Sequence, residues 1–168
     1  MLFLWIDPGI RKLWYALIND RFEILEADVI LQPLKKVGRE DQFERMWKIF
    51  EFFQYMTQKH EITTIAMEKL YFTDQNQNNA EFVYGIRGAL AMLFKQQHIP
   101  LVERTPNELK KYITGNGNAS KELMMKTITK IYALKDGEIK RHDTADALGL
   151  AYLLGQKILQ NPKCLWKD

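Results

Sequence analysis

Apolar runs with polar breaks between them predict five β-strands in this chain. The first run, residues 2–6, has the length of a strand buried on both faces, and it ends in Asp7-Pro8-Gly9. Pro8 and Gly9 suit a tight turn, so residues 14–18 are the predicted returning strand. Further strands are expected at residues 22–31, 62–67 and 100–104.

Apolar residues spaced three and four apart predict five helices, at residues 40–59, 80–97, 105–115, 120–133 and 141–160. Thr105-Pro106-Asn107-Glu108 is a capping box with proline at the first helical position, which is a specific signal for a helix start. Polar stretches at residues 33–39 and 73–79 are predicted loops. One face of the first helix carries large apolar residues that we interpret as core, namely Phe43, Met46, Trp47, Phe50, Phe53 and Met56.

The order of these elements is typical of an α/β fold: three strands, a helix, a strand, a helix, a strand and then helices. Crossovers through the helices make the later strands parallel to the first. We therefore predict a five-stranded mixed sheet flanked by helices. A chain of 168 residues is expected to be one domain, which we assign to residues 1–160, with residues 161–168 as a frayed tail.

Composition narrows the function classes only slightly. The chain has 24 Lys and Arg against 21 Asp and Glu, a net charge of +3. Residues 104–141 hold nine basic and four acidic residues, as a phosphate-facing surface requires, although a solvated helix face has the same pattern. The single cysteine, Cys164, cannot form an internal disulfide, and no apolar stretch reaches the length of a membrane span. We expect a cytoplasmic protein with no membrane partner.

Four carboxylates occupy positions that favour metal chemistry. Asp7 and Glu68 each end a buried strand, and Asp143 and Asp146 share one face of the first turn of the last helix. If the two strands are parallel neighbours, all four acids can meet in one crevice, where their mutual repulsion requires cations. Oxygen ligands favour Mg²⁺ or Mn²⁺, and two such ions about 3.5–4 Å apart promote phosphodiester hydrolysis. Taken locally, Asp7 also fits a turn-stabilising role in a plain hairpin.

Lys121 lies in the first turn of a predicted helix, where the helix dipole disfavours a cation. An anion bound at that helix start reverses the argument. A solvated lysine tolerated at small cost is the alternative interpretation of the same position.

Five motifs, in order along nearly the whole chain, together resemble the RuvC family of Holliday-junction resolvases. They are Ile6-Asp7-Pro8-Gly9-Ile10-Arg11, Met67-Glu68-Lys69-Leu70-Tyr71-Phe72, Ile86-Arg87-Gly88-Ala89, Leu109-Lys110 followed by Lys121, and Asp143-Thr144-Ala145-Asp146-Ala147-Leu148. The resemblance implies a ribonuclease H-like fold, a homodimer that binds a four-way DNA junction, and two symmetric cuts that leave ligatable nicks. A further implied partner is the branch-migration machinery.

The resemblance also implies roles for individual residues. The ligands of two Mg²⁺ ions, which Mn²⁺ can replace, are then Asp7, Glu68, Asp143 and Asp146. Lys110 and Lys121 contact phosphate or stabilise charge in the transition state, and Lys111 and Arg11 are further DNA-binding candidates. Tyr71 or Phe72 corresponds to an aromatic side chain that stacks on a base near the crossover, an interaction that contributes about 1–3 kcal/mol.

Two features depart from the family pattern. The returning strand carries Trp14 where the family usually has a small residue, which raises the question of how the chain packs beside the site. His142 precedes Asp143, and the spacing to Asp146 favours Asp143 over His142 as the metal ligand.

Three other functions fit the sequence less well. A ribonuclease H-like nuclease that acts on RNA–DNA hybrids shares the acids, and the basic block at residues 110–126 only modestly favours a junction. A catalytically idle junction-binding module keeps the fold, but clustered acids without a use destabilise it. A phosphate-loop ATPase of the sugar-kinase type needs two lobes, which 168 residues do not provide.

Overall fold

Five strands form one sheet in the computed structural model of the protein, which describes residues 1–32, 38–69, 77–133, 148–149, 151–152 and 155–156. The strands are β1 (Leu2–Asp7), β2 (Lys12–Asn19), β3 (Ile24–Leu31), β4 (Ile62–Glu68) and β5 (Leu101–Arg104). The helices are α1 (Arg39–Lys59), α2 (Gln77–Gln96), α3 (Pro106–Thr114) and α4 (Lys121–Ile131). The described positions of the predicted last helix are helical, whereas the expected tail, residues 161–168, lies outside the described residues.

The strand order is β3-β2-β1-β4-β5, so β1 lies at the centre of the sheet. Tight connections make β1, β2 and β3 antiparallel, whereas the crossovers through α1 and α2 make β4 parallel to β1 and β5 parallel to β4. The predicted five-stranded mixed sheet flanked by helices is confirmed.

Both faces of β1 are buried, as its continuous apolar run predicts. Leu4 and Ile6 pack with residues of α1 and α2. Phe3 and Trp5 face the opposite side and pack with residues of α3 and α4 and with Leu148. We call this second side of the sheet, lined by Phe3, Trp5, Ala16 and Ala66, the site face.

The predicted core face of α1 is wrong at two positions. Phe43 and Trp47 are 52% and 56% exposed, respectively. Phe43 contacts the ring of Phe82 edge-on, and Trp47 stacks on Phe50. These aromatic side chains therefore lie at the margin of the core, with one side toward solvent.

Polar residues take the buried positions instead. Gln42 and Arg45 are buried along with Ile49 and Phe53, so the buried face of α1 is rotated from the apolar stripe at its first turns. Arg45 can be buried because Asp41 accepts from it, with 2.6 Å between Nη2 and Oδ2, and a buried charge is tolerated when it is paired. Periodicity alone does not reveal such a pair.

Several element boundaries differ from prediction by two or three residues, among them the starts of β2, β3 and α2 and the end of α4. The third strand begins at Ile24, because Phe22 has a φ of 63° in a turn where the Asn19 side chain accepts bonds from the backbone of Arg21 and Glu23. Helix α2 begins at Gln77, inside the predicted loop 73–79. No helix among the described residues is long and apolar enough to span a membrane.

Candidate active site

Asp7 and Glu68 lie at the same edge of the sheet. β1 and β4 are parallel with Ile6 opposite Met67, and each strand ends at the next residue, which is Asp7 in one and Glu68 in the other. Neighbouring strands are about 4.8 Å apart, so the two acids have adjacent backbones. Strand alternation gives Asp7 the side of Phe3 and Trp5, and gives Glu68 the side of Ala66. Both acids are therefore on the site face, and both are partly buried.

Trp14 is directly opposite Asp7 on the neighbouring strand β2. It shares the site face with Ala16 and is only 5% exposed, so the sheet accommodates the large ring beside the acid. Residues opposite one another on an antiparallel pair have Cβ atoms about 4.5–5.5 Å apart. The indole thus forms one wall next to Asp7, and the departure from the family pattern does not disrupt the strand pairing.

Arg87 of α2 contacts the end of β4 from the other helical layer. Its Nη1 donates to the backbone carbonyl of Glu68, and its Nη2 donates to the Glu103 carboxylate on β5. The Arg87 side chain is 11% exposed. Beside it, the backbone amide of Lys69 donates to the carbonyl of Arg104 at 2.7 Å. Several hydrogen bonds therefore fix the backbone at Glu68.

The helices that carry the predicted phosphate-binding lysines pack on the site face. Leu109 of α3 and Met124 of α4 are buried with Trp5 in one cluster. The predicted capping box of α3 is present: the Thr105 hydroxyl accepts from the Glu108 amide at 3.2 Å, and the Glu108 carboxylate accepts from the Thr105 amide at 2.8 Å.

Lys121 lies in the first turn of α4, as predicted, and is the first residue of that helix. The Ser120 hydroxyl caps this helix by accepting from the Leu123 amide at 3.2 Å. Lys121 and Lys111 are exposed and Lys110 is half-buried. Arg11 is exposed in the turn between β1 and β2, close in sequence to Asp7.

Two described residues shortly after Asp146 in sequence also pack on the site face. Leu148 and Ala151 are buried in the cluster with Phe3 and Trp5. The Tyr132 hydroxyl at the end of α4 donates to the Leu148 carbonyl at 3.1 Å. Burial raises the pKa of Tyr132 above its ordinary value, so the hydroxyl keeps the proton that it donates.

Glycines permit this close approach of the last helix. A Cβ at Gly149 would be 3.1 Å from Ile128 Cδ1, and one at Gly155 would be 2.9 Å from Phe22 Cε1 and 3.1 Å from Phe3 Cδ2. A side chain at Gly155 would force the Phe22 or Phe3 ring to shift, and one at Gly149 would press on the Ile128 methyl group. Gly149 therefore lies directly against α4, and Gly155 lies against β1.

The remaining predicted site residues, Asp143, Asp146, Tyr71 and Phe72, lie outside the described residues, as does His142. Within the described ranges no group of three or more acids, histidines or cysteines could hold a metal ion. Asp7 and Glu68 bring two carboxylates to one edge of the sheet, and carboxylate oxygens suit a hard divalent ion. Sequence reasoning missed the bridge from Arg87 to Glu103, although it singled out the motif that contains Arg87.

Comparison with known proteins agrees with the geometry. The sequence model of the family described as crossover junction endodeoxyribonuclease RuvC matches residues 3–153. A protein of that description from Helicobacter hepaticus is 32% identical over 161 residues, which cover 96% of this chain and 86% of the relative. One from Sulfurovum sp. is 29% identical over 166 residues, which cover 97% of this chain and 100% of the relative.

Solved structures show the same fold. T. thermophilus RuvC in complex with Holliday junction substrate superposes with a TM-score of 0.75 at 24% identity, over 90% of both chains. The predicted ribonuclease H-like fold is confirmed.

Proposed function

Because the chain belongs to the RuvC family of crossover junction endodeoxyribonucleases, we propose that it resolves four-way DNA junctions by paired symmetric nicks. The family is one of metal-dependent nucleases. The observation that carries the proposal is the pair Asp7 and Glu68, which end adjacent parallel strands on the face where Leu148 and Ala151 also pack.

We propose that Asp7, Glu68, Asp143 and Asp146 hold two Mg²⁺ ions, which Mn²⁺ can replace. The donors are carboxylate oxygens, which suit both ions. When bound, such ions stabilise the negative charge that develops on the scissile phosphate. The fixed strand ends keep Asp7 and Glu68 in place, so little reorganisation is needed before reaction.

Described residues that come shortly after Asp146 in sequence support its place in this set. Leu148 and Ala151 are buried on the site face with Phe3 and Trp5, and Gly155 lies against Phe3. Because Asp146 is two residues before Leu148 in sequence, we propose that it completes the donor set with Asp7 and Glu68, together with Asp143.

Basic residues of α3 and α4, the helices packed on the site face, suit the DNA backbone. Lys121 is exposed at the start of α4, where the positive end of the helix dipole also favours a phosphate. In this proposal Lys121 meets the scissile phosphate, and Lys110, Lys111 and Arg11 contact neighbouring phosphates. Tyr71 or Phe72 stacks on an unpaired base at the crossover.

We further propose that the enzyme is a homodimer, since two symmetric cuts need two active sites. Helix α2 supports this proposal because Tyr84, Gly88 and Met92 form an exposed stripe at spacings of four, with Met92 71% exposed. A Cβ at Gly88 would contact nothing within 4 Å, so a second helix could approach there. The branch-migration partner and the cytoplasmic location rest on family membership alone.

A cleavage assay with labelled substrates tests the proposed function. Four-way junctions, linear duplex and RNA–DNA hybrid are each incubated with the enzyme in Mg²⁺ and in Mn²⁺. We expect symmetric nicks in the junction only. Binding of the junction without a cut in either metal would indicate an idle module, and cutting of the hybrid alone would indicate a ribonuclease.

Asp7→Asn is the variant that links this activity to the metal site. It removes a ligand charge and keeps the shape, so cleavage should fall at least about a thousandfold while junction binding in a gel-shift assay is retained. Asp20→Asn is the matched control, because Asp20 is exposed at the opposite end of the sheet. This variant should cleave the junction at the wild-type rate. Normal cleavage by Asp7→Asn would rule out the proposed site.

A further inference from the structure

Arg87 joins three elements at a single point. It lies on α2, and its guanidinium donates to the last residue of β4 and to Glu103 of β5. The neighbouring residue Ile86 is fully buried in a core cluster that includes residues of α1. This packing fixes the position of the helix that carries Arg87. The planar guanidinium can serve two acceptors in fixed directions at once.

The acceptor on β4 is the carbonyl of Glu68, whose carboxylate lies on the site face. Arg87 reaches the strand end from the opposite layer, so it contacts the backbone of Glu68 and leaves the site face clear. The Glu103 carboxylate offsets the charge of the guanidinium and holds it in place. The contribution of Arg87 is therefore orientation of the Glu68 peptide, from which the carboxylate projects.

We propose that Arg87 is the positioning residue of Glu68: it sets the direction of this carboxylate toward the metal ions, with Glu103 as its anchor. The inference rests on the proposed metal site and adds a residue to it. Outer partners that orient a ligand typically alter metal affinity by about 10–100-fold when removed. Loss of Arg87 should therefore weaken the metal site without removing a ligand.

Metal binding without DNA is the direct readout. Mn²⁺ titrations followed by the electron paramagnetic resonance of the free ion give the affinity of the wild type, Arg87→Met, Arg87→Lys and Glu103→Gln. We expect Arg87→Met to raise the Mn²⁺ dissociation constant about tenfold. Arg87→Lys should not rescue it, because an ammonium group cannot replace the two-pronged donor. Glu103→Gln should also raise the Mn²⁺ dissociation constant.

Two further measurements separate positioning from mere stability. The Mg²⁺ concentration for half-maximal junction cleavage should rise in Arg87→Met, and the rate at saturating Mg²⁺ should approach that of the wild type. In a Glu68→Gln background, Arg87→Met should have no added effect on Mn²⁺ affinity, since it acts through that carboxylate. Arg39→Met is the control. It breaks an exposed ion pair between Arg39 of α1 and Glu81 of α2, and it should leave Mn²⁺ binding unchanged.

Each outcome decides a different question. If Asp7→Asn and Glu68→Gln leave Mn²⁺ affinity unchanged, the proposed metal site is wrong. If those variants weaken binding but Arg87→Met and Arg87→Lys lower only the melting temperature, Arg87 is a structural brace and the inference is overturned. If Arg87→Met does not fold, unchanged Mn²⁺ affinity in both Arg87→Lys and Glu103→Gln overturns it equally.

Discussion

Lys121 occupies the first position of α4, where the helix dipole disfavours a cation by a few tenths of a kcal/mol. A phosphate at the same helix start removes that cost and gains from the lysine charge. If the charge acts mainly in the transition state, Lys121→Ala should lower the cleavage rate about 10²–10³-fold. Single-turnover rates and gel-shift affinities on one junction measure both quantities, and we expect the affinity to change much less.

Lys126→Ala is the matched control, because Lys126 is exposed further along the same helix and should keep its cleavage rate. Equal losses of rate and affinity in Lys121→Ala would reduce Lys121 to a binding residue. Exposure alone does not separate the two roles.

Residues of the site differ in how far the sequence reveals them. Asp7 and Glu68 could be predicted, because an acid that directly follows a buried run has only the strand end to occupy. The role of Arg87 could not be predicted, because one of its acceptors is a backbone carbonyl. The other, Glu103, comes near only through the pairing of β4 with β5.

Helix α3 begins at a capping box, which a single substitution can remove without changing the rest of the helix. Thr105 and Glu108 exchange two hydrogen bonds at its start, and the helix carries Lys110 and Lys111. Thr105→Ala leaves a helix amide without its partner and should lower the free energy of unfolding by about 1 kcal/mol. Urea denaturation measures the change. Thr105→Ser keeps the hydroxyl and should stay near the wild type, whereas equal stability of all three proteins would contradict the capping role.

Element types were predictable from periodicity, but the buried face of α1 was not. Six apolar residues indicated one face, and the structure buries Gln42 and Arg45 while it exposes Phe43 and Trp47. The pairing of Arg45 with Asp41 compensates for burial of the charge. A pattern of hydrophobicity cannot register such compensation, since it scores an arginine as polar whatever its partner.

The whole molecule shows why the fold class followed from the order of elements. Short turns force β1, β2 and β3 to be antiparallel, and helical crossovers force β4 and β5 to be parallel. Those rules need no side-chain detail. The oligomeric state does not follow from element order in this way, because it depends on which exposed residues meet a partner surface.

The proposed dimer gives a prediction at this scale. Met92→Glu adds a charge to the most exposed apolar residue of the α2 stripe, and burial of an unpaired charge in an interface costs several kcal/mol. Sedimentation equilibrium should show the wild type at twice the chain mass and Met92→Glu at the chain mass. Leu25→Glu, at an exposed apolar position on β3, should remain dimeric. A dimer that persists in Met92→Glu would exclude this face of α2 from the interface.

We propose above all that Asp7 and Glu68 hold catalytic metal ions together with Asp143 and Asp146. Anomalous diffraction from crystals of the enzyme with a four-way junction, soaked in Mn²⁺, tests it most directly. We predict two anomalous peaks about 3.5–4 Å apart, with a carboxylate oxygen of Asp7 in contact with at least one of them and Glu68 and the last-helix acids around both. A single ion, or ions held without Asp7 and Glu68, would contradict the claim.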